Sequence, residues 1–146
     1  MAEPRLSHVG LCVADAERAQ RFYEEGLGFR YARDLEVKGE PGATLLRLPD
    51  VNLRAIYLEH EGTVLELLHY PSPGVVRGDS PRPMNRPGLT HLSFQVEDVD
   101  ATLSRLEDLG GRVLPETRIE PGGGVAAVFL TDPDGTLIEL VRQPRG

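Results

Sequence analysis

Two histidines and two glutamates recur in matching surroundings along this 146-residue chain. His8 sits in LSHVGLCVAD and His91 in LTHLSFQVED, 83 positions apart, with a short polar residue before each. Glu66 sits in GTVLEL and Glu139 in GTLIEL, 73 positions apart, with Pro71 and Pro144 closing both copies. Taken singly, each residue has a plain reading. A strand histidine is usually satisfied by a hydrogen bond, and a glutamate alternating with apolar residues is usually solvated. Two imidazoles and two carboxylates at equivalent places of a duplicated module are another matter. They suit a divalent first-row metal, with positions to spare for water or substrate, provided the two copies curl around a common cleft.

The elements that must position these side chains follow from the same repeat. SHVGLCV and THLSFQV alternate like half-buried strands. Val9, Leu11 and Val13 form the apolar face of the first, so His8, Gly10 and Cys12 point the other way, and His91 shares its face with Ser93 and Gln95. Leu65 and Leu67 oppose Glu66 in the same manner, and Ile138 and Leu140 oppose Glu139. Asp15 and Asp98 stand where helix N-caps belong. Ala16, Ala19, Phe22 and Tyr23 in one copy and Val99, Thr102, Leu103, Leu106 and Leu109 in the other keep helical spacing, with Gly26 and Gly110 as left-handed stops. Three strands follow in each copy, near 29–36, 52–59 and 63–70, then near 112–117, 125–131 and 136–142. The turn Asp132-Pro133-Asp134-Gly135 joins the last two, as His60-Glu61-Gly62 does in the first copy. The fold class expected is α+β, two tandem βαβββ modules forming one domain over 1–146: module 1 at 1–70, a Pro- and Gly-rich linker at 71–87, module 2 at 88–146. The offsets differ by ten, so the first copy carries about ten more residues in its middle.

Composition narrows the function. Hydrophobic residues make up 40% and charged residues 27%, the balance of a globular chain with a real core. Sixteen Lys and Arg against 23 Asp and Glu give a net charge of −7, which argues against nucleic acid and against an anionic membrane surface as partners. No apolar run reaches the ~20 residues of a membrane span, and MAEPRLSHVG lacks the basic and apolar stretches of a signal peptide, so a cytoplasmic location is expected. The single cysteine, Cys12, excludes an intrachain disulfide framework; it is read as a buried, inert thiol. His69 has the wrong parity to join Glu66 and His60 lies in a turn, so both are expected on the solvent side. Tyr57 reads as packing.

The segments LSHVGLCVAD, RFYEEGLGF, VLELLHYP, LTHLSFQVED and AVFLTDPDGTLIELV resemble the vicinal oxygen chelate superfamily, the glyoxalase/bleomycin resistance/dioxygenase fold, over nearly the whole chain. The resemblance implies a cupped, mixed eight-stranded sheet around a metal, with His8, Glu66, His91 and Glu139 as ligands. A complete His, Glu, His, Glu set is most similar to compact bacterial glyoxalase I. Such enzymes turn the hemithioacetal of a 2-oxoaldehyde and a thiol into a 2-hydroxy-acid thioester through an enediolate that the metal stabilises. By that resemblance Glu139 is the leading base and Glu66 a second one. The implied cofactors are Ni, Co or Zn, with Fe or Mn as further choices, and glutathione or another thiol as co-substrate. The implied assembly is a homodimer, with each site inside one chain or shared between two.

Three other activities fit the same fold: an epimerase acting on acyl-CoA such as methylmalonyl-CoA, a small-molecule-binding resistance protein, and an Fe(II) dioxygenase. Arg54 stands near the place where the epimerase branch carries a carboxylate, and would bind an anionic substrate rather than act as base. Arg86 stands near the arginine with which glyoxalases hold glutathione, although Arg86-Pro87-Gly88-Leu89-Thr90-His91 is one residue longer than that pattern. The basic residues that glyoxalases carry before the AVFL-type strand are replaced by Pro121-Gly122-Gly123-Gly124.

Overall fold

The computed structural model describes residues 2–144. The chain divides into two compact units, Met1–Arg77 and Gly78–Gly146. The first runs β1 (Val9–Cys12), α1 (Ala16–Arg21), β2 (Arg30–Lys38), α2 (Gly42–Leu46), β3 (Asn52–His60) and β4 (Thr63–Ser72). The second runs β5 (Leu92–Val96), α3 (Val99–Asp108), β6 (Arg112–Ile119), β7 (Ala127–Thr131) and β8 (Leu137–Arg142). Each holds a four-stranded sheet of the same topology, β1-β4-β3-β2 and β5-β8-β7-β6. In both, the first strand pairs parallel with the last and the remaining pairs are antiparallel. The repeat read from the sequence is thus a repeat of architecture, and the fold is the α+β arrangement expected.

Local chemistry explains the elements. The Asp15 carboxylate accepts a hydrogen bond from the Arg18 amide at 3.0 Å, and Asp98 accepts one from Ala101 at 3.0 Å, so both helices start where an N-cap was expected. In the first unit α1 lies against β3 and β4. Its Ala16 and Ala19 are buried, as are Ile56, Leu58, Leu65 and Leu67 of those strands, and each fully buried aliphatic or aromatic side chain contributes about 1.5–3 kcal/mol. Phe22, Tyr23 and Phe29 meet edge to face beside them, at ring separations of 5.1 and 6.0 Å. The second unit repeats this with Val99, Thr102, Leu103 and Leu106 of α3 and Val128, Leu130, Ile138 and Leu140.

Two local expectations change, at Gly26 and at the turn after His60. Gly26 does not stop α1: the helix widens into a π turn over Phe22–Gly26 that buries Gly26, and the left-handed residue is Gly28, φ 83°. Gly110, φ 100°, does take the left-handed conformation after α3. The extra residues of the first copy fall between β2 and β3, where α2 forms; Ala43, Leu46 and Leu48 pack on Val51, Leu53, Ala55 and Tyr57. The hairpin at His60 closes with Glu61 at φ 47° and Gly62 at φ 81°, the positive pair that a two-residue turn of type I′ requires. Its second-copy counterpart is held differently: the Asp132 carboxylate accepts from the Asp134 and Thr136 amides at 2.9 Å each.

Candidate functional site

Each unit brings its own histidine and glutamate together. In the first, β1 and β4 run parallel with Gly10 beside Glu66, and His8 Nε2 lies 3.3 Å from Glu66 Oε1. In the second, Ser93 is beside Glu139, and His91 Nε2 lies 3.8 Å from Glu139 Oε1. The other ring nitrogen is engaged in both: His8 Nδ1 with the Ser7 hydroxyl at 2.9 Å, His91 Nδ1 with the Thr90 hydroxyl at 2.7 Å. The short polar residue before each histidine therefore orients the ring and leaves Nε2 toward the carboxylate. All four side chains leave the helix-covered side of their sheets, as strand parity demands. Among the described residues no group of three or more His, Cys, Asp or Glu is gathered for a metal; what each unit offers is a pair.

The carboxylates are held by different groups. On β3, Tyr57 is paired in register with Glu66, and its hydroxyl donates to Glu66 Oε2 at 2.5 Å. Tyr57 is 7% exposed. Burial first, and then its bond to the negative Glu66, push the phenol above its ordinary value, so it stays a donor at neutral pH. Its ring meets His8 edge-on at 5.5 Å. In the second unit the register partner of Glu139 is Phe129, whose ring meets His91 at 5.2 Å and which has no hydroxyl to offer. There Ser93 Oγ donates to Glu139 Oε1 at 2.7 Å instead. Gly10 stands where Ser93 stands in the other copy; a Cβ on it would come within 3.2 Å of Leu68 Cδ1 and 3.7 Å of Glu66 Oε1.

The remaining candidates are placed as follows. Cys12 is exposed, not buried, because it follows Gly10 on the face that the helix leaves open. Its charge contributes to raising the Tyr70 phenol, although burial is the larger cause. Arg54 does not face Glu66. Its guanidinium is bound to Asp34 at 2.9 Å and to Glu17 of α1 at 3.3 Å, which fixes it on the helix side of the sheet. Arg86 is bound to Asp79 at 3.0 Å. His69 is half-buried, with Nδ1 3.3 Å from the Val13 carbonyl, and His60 is half-buried against Phe29, so neither is a solvent-side residue. Tyr57 packs as expected, but its hydroxyl bond was missed. The signal was available: counting back across the two-residue turn at Glu61-Gly62 puts Tyr57 opposite Glu66.

No helix among the described residues is long and apolar enough to cross a membrane. Residues 5–140 match the model of the Glyoxalase/Bleomycin resistance protein/Dioxygenase superfamily. The chain is 32% identical over 139 residues to the ethylmalonyl-CoA/methylmalonyl-CoA epimerase of Cereibacter sphaeroides, covering 93% of this chain and 96% of that one. It is 30% identical over 142 residues to a probable lactoylglutathione lyase of Vibrio parahaemolyticus, covering 97% and 93%. Its fold is that of a glyoxalase family protein from Bacillus cereus, with a TM-score of 0.79 at 22% identity, over 97% of both chains. The chain belongs to the Glyoxalase/Bleomycin resistance protein/Dioxygenase superfamily.

Proposed function

We propose that the protein is a metal-dependent lyase or isomerase of glyoxalase I type, moving a proton between carbons next to a carbonyl. The observation that carries this reading is the duplicated pair: His8 with Glu66 at 3.3 Å and His91 with Glu139 at 3.8 Å, each histidine turned by a neighbouring hydroxyl so that Nε2 meets the carboxylate. Neutral imidazole Nε2 and carboxylate oxygens are the donors that a divalent ion such as Ni, Co or Zn takes, and the hydroxyl partner on Nδ1 is the outer support that such ligands need. Once bound, the ion would polarise the substrate oxygens and stabilise the negative charge left when the C–H proton departs.

The residues divide the remaining work unequally. Glu66 has both oxygens engaged, Oε1 beside His8 and Oε2 with Tyr57. Glu139 uses Oε1 for Ser93, and among the described residues its Oε2 has no hydrogen-bond partner. A base must have an oxygen open to the proton it takes, so Glu139 is the leading base and Glu66 the more firmly held ligand. Epimerisation is the second reading, and the 32% identity to an acyl-CoA epimerase favours it; it uses the same proton abstraction on a different substrate. The two pairs would form one four-ligand centre, either within a chain or across a C2 homodimer. Mixing His8→Ala chains with Glu139→Gln chains separates the two cases. A shared site regenerates one intact centre per heterodimer, whereas single-chain sites stay dead in every mixture.

The deciding experiment is metal analysis of purified protein, followed by turnover assays with methylglyoxal hemithioacetals and with methylmalonyl-CoA. Stoichiometric Ni, Co or Zn with turnover of the hemithioacetal supports the lyase, and turnover of the acyl-CoA alone moves the assignment to epimerase. A protein that holds no metal and turns over neither would sink both.

A further inference from the structure

The cation on the Glu66 face is one that strand parity hides. Between Tyr31 and Arg33 the register of β2 on β3 slips by one residue, so that Arg33, rather than Ala32, pairs with Tyr57. Without this bulge Arg33 would stand opposite Ile56, whose buried side chain belongs to the helix side. Bulges re-aim side chains in this way beside functional sites. The result is that the Arg33 guanidinium lies over the Tyr57 ring, Cζ 4.0 Å from its centroid, and Tyr57 is the residue that donates to Glu66.

How this charge is held differs from the ion-paired arginines of the chain. Arg54 is bound by Asp34 and Glu17, Arg118 by Asp100 and Glu120, Arg86 by Asp79 and Arg21 by Glu25. Arg33 has no ion pair among the described residues; an aromatic face supports it instead. A ring quadrupole attracts a guanidinium without neutralising it; part of its donor capacity goes to the Tyr57 hydroxyl, and the charge and the remaining donors stay available to a ligand. In a chain of net charge −7, an unneutralised cation one residue from a candidate metal ligand is a specific feature. Its planar fork fits carboxylate and phosphate oxygens in a bidentate manner.

We propose that Arg33 is the substrate-recognising cation of this site, binding a carboxylate or phosphate on the substrate's thiol-bearing arm and thereby selecting anionic substrates. The proposal rests on the lyase or epimerase reading for its substrate but not for its chemistry. Glutathione supplies the carboxylate and coenzyme A the phosphate.

The test is calorimetric binding to metal-free protein of S-methylglutathione, S-ethyl-coenzyme A and the neutral thioether of N-acetylcysteamine. Wild type, Arg33→Met, Arg33→Lys and a distant control, Arg21→Met, are compared. Arg33→Met should weaken one of the two anionic probes roughly tenfold or more, the scale of a charge-assisted hydrogen bond. The neutral probe should change by less than about twofold on the same scale. Arg33→Lys should restore part of the loss, and Arg21→Met should match wild type. Which anionic probe responds identifies the arm. Equal weakening of the neutral probe, an Arg33→Met protein indistinguishable from wild type, or a wild type that binds neither anion would overturn the proposal. Absence of turnover with intact, Arg33-dependent anion binding would instead overturn the reaction assigned to the site and leave this assignment standing.

Discussion

In the first unit Glu66 accepts a hydrogen bond from Tyr57 on the neighbouring strand, while the matching strand position in the second unit carries Phe129 and Glu139 is held by Ser93 from the other side. Gly10 occupies the position of Ser93 in the first unit. The two carboxylates are thus reached by a donor from opposite neighbours, β3 in one case and β5 in the other. Their exposure differs accordingly, 14% for the Glu66 side chain against 29% for Glu139. The histidine, the hydroxyl that orients it and the ring at its edge are common to both halves. The comparison teaches that the ligand pair is the shared core of the module, and that the groups around each carboxylate decide whether it is clamped or left with an open oxygen.

The largest effects should come from breaking that asymmetry at the carboxylates. Glu139→Gln should reduce kcat by roughly 10²–10⁴-fold, the usual contribution of a general base, with folding unchanged because the side chain is partly exposed. Glu66→Gln should act chiefly through metal content and should be partly rescued by excess metal. Equal, unrescued losses in the two variants would remove the distinction between clamped ligand and base. Chelation comes next. Protein treated with a chelator should lose its turnover and regain it on addition of Ni, Co or Zn. His8→Ala and His91→Ala should each lower metal affinity by at least roughly the 10–100-fold that altering a ligand's outer partner causes. A variant that keeps wild-type metal content would take its histidine out of the ligand set.

Much of this was legible in the sequence because the repeat is written in strand parity. Alternation in SHVGLCV and TVLELL turns His8 and Glu66 to one face, and the aspartates before each helix fix where the helices begin. What escaped depends on features with no periodic signature. The five-residue α2 is too short to show an amphipathic pattern; only its packing on Leu53 and Tyr57 defines it. The π turn that shifts the helix stop from Gly26 to Gly28 adds a residue to the turn that 3.6-residue spacing cannot foresee. Arg33 was invisible because its face is set by a register slip, and Arg54, assigned by alignment to the pocket, is claimed by Asp34 and Glu17, which lie far from it in sequence. Cys12 reads as a buried, inert thiol because nothing near it in sequence would activate it, although its parity with His8 points outward, and it is exposed.

Tyr57→Phe tests the comparison more finely, because it gives the first unit the ring that the second already has. The variant loses the hydroxyl bond to Glu66 and keeps the edge contact with His8. The cost should be about 1 kcal/mol, as for a typical hydrogen bond, seen as a fall in Tm of roughly 2–4 °C for a chain of this size. Turnover should fall only severalfold, about what 1 kcal/mol is worth. If Gly10→Ser in the same background recovers the loss, the second unit's solution transfers to the first. Leu68 must move by a few tenths of an ångström to admit the new Cβ, so a recovery that is partial rather than full is the expected outcome.

The smallest effect distinguishes the two halves by pH. Tyr70 packs on the Glu66 face near Tyr57, and its phenol is raised above the ordinary value of 10.0, by burial first and then by the negative charges of Cys12 and Glu66. Counting from the two glutamates, the corresponding residue of the second unit is Gln143, which does not titrate. A phenol with a raised value in the native state holds its proton longer there than in the unfolded chain. Between the two values the unfolded state binds fewer protons, so stability falls as pH rises. The contribution is fully present below about pH 10, the unfolded phenol's value, and is lost as pH climbs through the native one. Wild type should therefore lose more Tm than Tyr70→Phe between neutral pH and the alkaline range above 10, with the gap between the two proteins constant at lower pH. A gap that opens below pH 9, or one that grows in favour of wild type as pH rises, would show that burial of this phenol is not what makes the first half the more alkali-sensitive one.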